Sequence, residues 1–420
     1  MPGSSTARVS TVKRTLQNNI TTLYTIGFFQ AFIVVIPVFV PLLQGYGLSM
    51  SQVLQTQAAF ALTIALCEVP SGYIADLWGR RNAIIVGSLL NAFGFLSLIW
   101  ADTFVDFLIY EMILGVGFSL ISGADLALLY DTELYLQERG EPGGAGAGKS
   151  LSRLISVEAA ASGIAGIVAS VLLIWSLDYV VWLQAITGFA PLLLGLFLVE
   201  VPRPPREGRH SDNAREVVAL LLFGKPVVLW TAFAIAVFGL MAVYVFWTYQ
   251  KYWQVQGVPL GSFGYLWAAF ALTVSVAARY AGNLEHWLGT NRTLALVAVL
   301  PLLGLLGMTF GSGWIGVMFG FAIQVSRGLS MTLFYEALNR RVPGDFRATV
   351  NSLVSLFVRA MFIVTGPLLG YAMDRYGVHH SLLVLAVVFA PAMAMVLLPL
   401  VARIAVERRG AATDAQVTTA

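Results

Sequence analysis

The sequence predicts an all-α integral membrane protein with twelve transmembrane helices, arranged as two six-helix pseudo-repeats. Three observations lead to this prediction. The composition is too apolar for a water-facing surface, twelve apolar runs have membrane-spanning length, and the cationic residues are distributed almost entirely to one side of those runs.

The composition excludes a soluble globular protein. Of the 420 residues, 58% are hydrophobic and only 11% are charged, whereas a soluble domain has about 25% charged residues. The apolar excess must therefore face lipid. A formal net charge of +3 gives no sign of a nucleic-acid partner, and a single cysteine, Cys67, excludes a disulfide framework and a cysteine-based metal site. We expect no metal and no cofactor.

Twelve apolar runs account for most of the chain, since a bilayer core takes about 20 apolar residues per helix. They divide the chain into a tail (1–19), a first bundle (20–200), a linker rich in Pro and Arg (201–225), a second bundle (226–404) and a second tail (405–420). The first tail is polar and basic, which indicates that the first run is a retained span and not a cleaved signal. Spans 1–6 are predicted at 20–45, 52–74, 82–101, 104–131, 152–175 and 179–200, and spans 7–12 at 226–250, 259–281, 291–311, 313–338, 350–373 and 379–404.

The cationic residues predict the orientation. With the amino terminus inside, the outer side holds only Lys251 and Arg375 of the 25 Lys and Arg residues. Arg327 and Arg359 lie within spans, and all the others fall on the inner side. Because cytoplasmic loops carry the excess of Lys and Arg, we expect a multi-pass protein of the cell (inner) membrane with both termini in the cytoplasm.

The two halves of the chain match each other weakly in sequence. Single glycine matches mean little, and a Gly-x6-Tyr-acid match at the ends of spans 4 and 10 is stronger evidence. Two parallel six-helix repeats are a transporter architecture. The matched pairs are Gln44 and Gln254, Gly47 and Gly257, Gly72 and Gly282, Gly79 and Gly289, Gly123 and Gly328, Tyr130 and Tyr335, and Asp131 and Glu336.

A charged motif joins spans 2 and 3 and reads Gly72-Tyr-Ile-Ala-Asp76-Leu-Trp-Gly79-Arg80-Arg81. Its two glycines permit a tight turn, Asp76 can cap a helix amino terminus, and the arginines can pair with acids. The motif resembles the signature loop of the major facilitator superfamily. A degenerate second copy runs from Gly282 to Gly289, the stretch Gly366–Gly377 is also similar, and the resemblance covers Tyr24 to Arg403.

The resemblance implies that this loop latches the cytoplasmic side of the outward-open state. Asp76 is then expected to face the start of span 11, and Arg80 to reach an acid at the end of span 4, for which Asp131 is the candidate. Its repeat mate Glu336 would serve Arg292. The alternative is that these residues only fix the topology.

Two departures argue against the drug/proton antiporters of this family. Those proteins usually carry an arginine in span 4, four residues before a glycine, where this chain has Glu111 before Gly115. They also carry a Gly-Pro motif in span 5, which Ser162–Gly166 lacks. The stretch from Ser122 to Asp131 resembles a little-characterised bacterial branch of the family.

Ionisable residues within spans mark candidate functional sites, because burying charge in a membrane is expensive. Glu111 and Asp125 lie fourteen residues apart, close to four helical turns, so we expect both on one face of span 4. In the family, spans 1, 4, 7 and 10 line the central cavity, so Arg327 of span 10 would face these acids. We hypothesise that Arg327 binds an anionic or strongly polar group while Glu111 or Asp125 carries a proton. The alternative is a permanent Arg–acid pair that only stabilises the bundle.

The aromatic end of span 7 has two interpretations. Trp247 could stack on a solute or form an outer gate, or it could belong to an interfacial aromatic belt. Tyr252 and Trp253 are better explained as an interfacial aromatic belt.

The remaining charges predict two inner gates. In the family, span 2 meets span 11 and span 5 meets span 8. Glu68 and Arg359 lie at similar depths, roughly 12 to 15 Å above the cytoplasmic loops. We therefore predict the pairs Glu68–Arg359 and Glu158–Arg279, although each residue could instead pair within its own half.

One motif is misleading. Gly143–Ser150 matches the Walker A pattern, which binds phosphate only between a strand and a helix. Here it lies in a glycine-rich loop between two spans, so a flexible linker explains it better and no nucleotide is expected.

The sequence therefore predicts a secondary active transporter of a small organic solute, with H+ as the coupling ion and the lipid bilayer as its environment. We expect a monomer and not an enzyme. The alternatives are an uncoupled facilitator, or a membrane receptor or chaperone built on the same scaffold.

Overall fold

A computed structural model describes residues 3–138, 146–201, 226–343 and 346–418. Within these ranges the regular secondary structure is α-helical, with two short 3-10 segments. Residues 202–225 of the predicted linker (201–225), and positions 143–145 of the Walker-like pattern, lie outside the described residues.

The chain divides into two compact units. The amino-terminal unit contains Met1–Pro205 together with Pro259–Ala269, and the carboxyl-terminal unit contains Arg206–Val258 and Phe270–Ala420. The first turns of span 8 thus belong to the amino-terminal unit, although the rest of that helix belongs to the other.

The amino-terminal unit builds spans 1–6 from nine helices and one 3-10 turn among its described residues. Span 2 is Met50–Trp78, span 3 is Arg80–Ser97 and span 5 is Ala147–Leu172, whereas the other three spans are interrupted. Span 1 consists of Gly3–Ala31, Ile36–Val38 and Phe39–Gly45; span 4 of Phe104–Ile121 and Ala124–Glu138; and span 6 of Leu177–Thr187 and Ala190–Gly195.

The carboxyl-terminal spans are single helices within the described residues. A 3-10 turn, Leu260–Ser262, precedes span 8. Spans 7–12 are Pro226–Val255, Phe263–Leu288, Thr290–Phe310, Gly313–Arg341, Arg347–Tyr376 and Val378–Thr418.

Eleven of the described helical stretches are long and apolar enough to cross a membrane. The remaining predicted span, Arg80–Ser97, is an 18-residue helix that begins with two arginines, which lower its mean hydropathy. The predicted all-α membrane fold is confirmed.

Local sequence explains where the helices begin. Ser49 and Gln52 form a reciprocal capping box at the start of span 2, and Thr103 and Asp106 form another at span 4. Glycines with positive φ end the preceding segments at repeat-related positions. Gly47 and Gly257 have φ of 85° and 72°, and Gly79 and Gly289 have φ of 93° and 80°.

The break in span 1 follows from its sequence. Four β-branched residues, 33–36, precede Pro37, which has no N–H and clashes with the carbonyl one turn back. The helix ends at Ala31, and the backbone N–H of Val34 donates to Gln184 Oε1 of span 6 at 2.7 Å. Both residues are buried, so this side chain satisfies a donor that the break exposes.

Span 4 is also broken, which corrects the prediction of one continuous helix over 104–131. Its first helix ends at Ile121 and its second begins at Ala124, because Gly123 has φ of 87°. An L-residue with a side chain rarely adopts this conformation, and glycine does so readily.

Candidate functional site

Gly79 makes the turn between spans 2 and 3, and Glu200 closes it. The Glu200 carboxylate accepts hydrogen bonds from the backbone N–H groups of Arg80 at 3.1 Å and Arg81 at 2.8 Å. An acid at this place satisfies two free donors and interacts favourably with the positive end of the helix. Glu200 is therefore the cap of span 3.

Arg80 joins this turn to the end of span 4. Its Nη1 lies 2.5 Å from Asp131 Oδ2 and also donates to the backbone carbonyl of Ala127. The ion pair is mostly buried, with side-chain exposures of 9% and 20%. The contact expected from the sequence is therefore present, while its action as a latch remains a prediction.

Arg81 and Asn19 hold the end of span 6 that carries Glu200. Arg81 Nε donates to the Leu198 carbonyl at 2.6 Å. The Asn19 side chain both donates to the Val199 carbonyl at 2.8 Å and accepts from the Val199 N–H at 2.9 Å. The cap is thus positioned by spans 1 and 3 together.

Two sequence expectations for this loop need correction, and one further residue was not expected. Gly72 lies inside the helix Met50–Trp78, so the turn depends on Gly79 alone. Asp76 lies in the last turn of the same helix and is exposed, and the capping acid is Glu200. Sequence reasoning missed Glu200 because it is about 120 residues away, although an acid that ends span 6 just before Pro202 was a usable signal.

The second copy of the loop is built differently. Thr290 Oγ1, one residue after Gly289, donates to Glu285 Oε1 at 2.7 Å. Glu336 forms its ion pair with Arg340, one helical turn later in the same span. The expected pairing of Glu336 with Arg292 is not present, because Arg340 is the nearer cation on the same helix face.

Glu111 is the most buried of the predicted cavity acids, at 4% exposure. Its Oε1 accepts a 2.5 Å hydrogen bond from Gln57 Nε2 of span 2, which is itself 5% exposed. Within the described part of this unit, no cationic side chain pairs with Glu111. A neutral amide is therefore its polar partner.

Asp125 lies in the first turn of the second half of span 4. Its carboxylate accepts a hydrogen bond from the Leu126 N–H at 2.7 Å. Its charge repels that of Glu158 in span 5. The Glu158 Oε1 in turn lies close to Gly27 of span 1, 3.4 Å from where a β-carbon would be.

The break at Gly123 therefore separates two acids that a continuous helix would align. Glu111 faces span 2, whereas Asp125 faces span 5. The fourteen-residue spacing argument fails because it assumes an uninterrupted helical twist.

Arg327 lies on span 10 against Tyr249 of span 7, with which it interacts electrostatically. Tyr249 is 2% exposed and its hydroxyl donates to the Gly320 carbonyl at 3.1 Å. Among the described residues of the carboxyl-terminal unit, no acid forms an ion pair with Arg327. Arg327 is therefore not held by a permanent ion pair with an acid among the described residues of this unit.

The aromatic belt assigned to span 7 is wrong for Tyr252 and Trp253. Both are 0% exposed, whereas belt residues present their rings to the membrane surface. Trp253 stacks on Tyr249 with ring centroids 6.0 Å apart, and Tyr252 contacts His379 edge-on at 5.7 Å. Trp247 is also buried, against Phe246 at 4.8 Å.

Each predicted gate pair joins a residue of one unit to a residue of the other and remains a prediction. Glu68 and Glu158 are half-buried in spans 2 and 5 of the amino-terminal unit. Arg359 is half-buried in span 11, and Arg279 is exposed in span 8.

The described part of the Walker-like pattern is a helix start. Gly146 has φ of 89° and precedes the helix Ala147–Leu172. The Ser150 hydroxyl donates to Glu133, which is 0% exposed, so this serine is engaged in packing spans 4 and 5.

Comparison with known proteins identifies the family. The family model described as "Major Facilitator Superfamily" matches residues 20–365. No curated protein matches the chain in sequence.

Solved structures with this fold include several transporters. The nucleoside transporter NupG aligns with a TM-score of 0.71 at 12% identity, over 92% of this chain and 98% of that chain. The D-xylose-proton symporter aligns with a TM-score of 0.64 at 15% identity, over 91% and 96%. A bacterial homologue of the human lysosomal transporter Spinster gives 0.63 at 16%, over 93% and 94%. At these identities the similarity shows the fold, and together with the family match it shows that this chain belongs to the Major Facilitator Superfamily, as a multi-pass membrane transporter.

Proposed function

We propose that the protein is a secondary active transporter that moves a small organic solute by alternating access and couples this movement to protons. It works as a monomer in the cell (inner) membrane, with both termini in the cytoplasm. The alternatives are an uncoupled facilitator and a receptor or chaperone on the same scaffold. Proton coupling distinguishes the first interpretation from both.

The observation that carries the proposal is the environment of Glu111. This carboxyl group is 4% exposed and hydrogen-bonded to the neutral Gln57. A buried carboxylate without a counter-charge is costly, whereas a neutral carboxyl is not. A group in this setting is suited to take up and release a proton as its surroundings change.

A second pair of acids supports coupling in the same unit. Asp125 and Glu158 repel each other, and neither forms an ion pair among the described residues. One proton relieves this repulsion. Glu111 is therefore proposed as the proton carrier, and Asp125 with Glu158 as the acids that respond to its state.

The solute is proposed to bind at Arg327, which interacts with Tyr249 and pairs with no acid in its own unit's described part. Proteins with this fold include transporters titled for a nucleoside, D-xylose with protons, and a peptide conjugate. These names define the solute classes to test first.

The latch and the gates complete the proposed cycle. The motif of Gly72, Asp76, Gly79, Arg80 and Arg81, together with Asp131, holds the cytoplasmic side in the outward-facing state. The pairs Glu68–Arg359 and Glu158–Arg279 close the inner gate in the same state. A charge swap, Glu68→Arg with Arg359→Glu, is expected to restore transport that each single variant loses, and no restoration would contradict the gate.

Proteoliposome uptake tests the function. Radiolabelled uridine, D-xylose, a dipeptide and lactate are offered with and without an imposed pH gradient, while an internal dye reports pH. We expect accumulation of one class only with the gradient, together with proton movement. Glu111→Gln is expected to abolish accumulation but to retain counterflow of the same solute.

Glu336→Gln is the matched control, because it neutralises an exposed carboxylate that pairs with Arg340. It is expected to leave coupling unchanged. Gradient-independent uptake would establish the facilitator instead, and wild-type coupling in Glu111→Gln would remove Glu111 from the mechanism. No uptake of any class would contradict transport of these solutes.

A further inference from the structure

Span 10 carries two polar side chains, Gln324 and Arg327, for which the described residues of their own unit supply neither a donor to the Gln324 oxygen nor an acid that pairs with Arg327. Gln324 and Arg327 are three residues apart, so their side chains are neighbours on the helix surface. Gln324 is 5% exposed and Arg327 is half-buried. Neither position suits a residue that only faces water or lipid.

Tyr249 packs against the turn of span 10 that precedes Gln324. The Tyr249 hydroxyl donates to the Gly320 carbonyl at 3.1 Å, one helical turn before Gln324. The ring is held by Trp253, stacked at 6.0 Å, and by Phe270, edge-on at 4.7 Å. Gln324 therefore lies one helical turn from a packed aromatic cluster.

The carbonyl oxygen of the Gln324 amide is unsatisfied in the described part of the chain. Gln324 Oε1 is buried and has no hydrogen-bond partner among the described residues. A buried acceptor without a donor is destabilising, and such atoms are rare in folded proteins. The oxygen can therefore accept a hydrogen bond from a donor that the described residues do not supply.

Arg327 presents the complementary charge. In the described part of its unit, Glu336 and Glu407 pair with Arg340 and Arg341, and no ion pair reaches Arg327. A guanidinium binds planar carboxylates through two parallel hydrogen bonds. One cation balances one negative charge, whereas a phosphate dianion would leave a buried charge uncompensated.

We propose that the transported solute is a monocarboxylate that carries a hydroxyl or amino group two or three bonds from its carboxyl carbon. The carboxylate binds Arg327 and the donor binds Gln324 Oε1. The carboxylate and the donor group of the solute are expected to be close together, because Gln324 and Arg327 are only three residues apart on the helix. This inference rests on the proposed function, since it names the solute class that Arg327 accepts.

Ligand pairs that differ by one group test the proposal on the purified full-length protein. The probes are lactate, alanine, propanoate and lactamide, and the same four on a phenyl skeleton (3-phenyllactate, phenylalanine, 3-phenylpropanoate and 3-phenyllactamide). Affinity is measured by calorimetry and by ligand-induced shift in Tm. We expect the hydroxy or amino acids of one skeleton to bind about tenfold or more tightly than the matching propanoate, and the amide not to bind.

Two variants assign each contact. Gln324→Leu is expected to bring the hydroxy acid and the propanoate to similar affinities, while both remain preferred over the amide. Arg327→Gln is expected to remove the preference for the acid over its amide. Gln254→Leu and Arg340→Gln are matched controls, because Gln254 Oε1 is another buried oxygen without a partner and Arg340 is an exposed cation.

Equal binding of acid and amide, equal binding of hydroxy acid and propanoate, or no binding of any probe would overturn the proposal. So would a Gln324→Leu protein that keeps the full preference for the donor group. Failure here is separable from failure of the proposed function. If gradient-driven uptake of an uncharged sugar or nucleoside is observed, the coupled transporter stands and the solute class is wrong.

Discussion

The two units use the same order of spans but build their repeat-related helices differently. In the amino-terminal unit, spans 1, 4 and 6 are each interrupted, whereas their counterparts, spans 7, 10 and 12, run unbroken through the described residues. The turns between helices, by contrast, are alike in the two units. The repeat-related pairs Gly47 and Gly257, and Gly79 and Gly289, all have positive φ. The repeat is thus kept at the ends of the helices and lost in their interiors.

This difference coincides with a difference in chemistry. Each break frees backbone groups that need a partner, and the amino-terminal unit supplies polar side chains for them. Gln184 serves Val34, and Asp125 serves the start of the second half of span 4. The unbroken helices of the other unit need no such partners, and their interior contains the aromatic cluster around Tyr249 beside Arg327. The helix breaks therefore coincide with buried acids and amides in the amino-terminal unit. Arg327, the proposed solute-binding residue, lies in the carboxyl-terminal unit.

The largest expected difference between the units concerns the turn before spans 3 and 9. Arg80→Gln leaves Asp131 without its buried cation and is expected to lower the free energy of unfolding by about 3 kcal/mol. Thr290→Val, at the repeat-related position, removes a hydrogen bond to Glu285 and is expected to lower it by about 1 kcal/mol. Equilibrium unfolding in mixed micelles measures both.

Arg340→Gln is the control for this first comparison, since its ion pair is exposed and contributes little. Equal losses in Arg80→Gln and Thr290→Val would show that the two turns are equivalent after all.

Gly123 and Gly328 are matched by the repeat, yet substituting them is expected to destabilise the protein for different reasons. Gly123 has φ of 87° and open space around it, so Ala and Leu should each cost about 1–2 kcal/mol regardless of size. A β-carbon on Gly328 would lie 2.5 Å from the Val274 carbonyl, so Ala should cost about 1–3 kcal/mol and Leu clearly more. The measurement is thermal unfolding of the four variants, and a size dependence at Gly123 would be inconsistent with backbone strain.

Gln184→Leu tests how the break in span 1 is stabilised. The substitution leaves the buried Val34 N–H without its acceptor and is expected to lower stability by about 1–3 kcal/mol. Hydrogen exchange measured by mass spectrometry should speed up in peptides that cover residues 32–38. Span 2 serves as the internal reference, and unchanged exchange at the break would mean that another group satisfies Val34.

The smallest expected effect concerns the cap of span 3. Glu200→Gln keeps an acceptor oxygen but removes the negative charge from the helix amino terminus, which should lower stability by about 0.5–1 kcal/mol. Glu200→Ala removes the acceptor as well and should cost up to about 2 kcal/mol. Thermal unfolding at low and high salt separates the two contributions, because only the charge term is screened.

Much of the fold could be predicted from short-range patterns. Apolar runs predicted the spans, and the sequence repeat matched turn glycines that share positive φ. The Arg80–Asp131 contact could also be named, because a motif and a repeat pointed to the same acid. The helix breaks were less accessible: Pro37 was a visible signal for span 1, whereas Gly123 looked like any glycine in an apolar helix.

Other contacts over long sequence separations could not be predicted, because no motif pointed to them. Nothing near Gly79 indicates that Glu200 will cap the next helix, and nothing near Glu111 indicates Gln57. The burial of Tyr252 and Trp253 was also misjudged, since aromatics at a helix end suit either an interfacial belt or a packed core.

By itself, the sequence determined that this chain spans a membrane many times, because hydropathy acts on each segment separately and lipid requires every span to satisfy its own backbone. Only the tertiary structure decided which polar groups meet. Glu111 faces a neutral amide and Asp125 interacts electrostatically with Glu158. Gln324, three residues before Arg327, has one oxygen without a partner in the described part of the chain. These outcomes depend on where helices break and which faces they turn to one another, which are properties of packing between distant segments and not of any one segment.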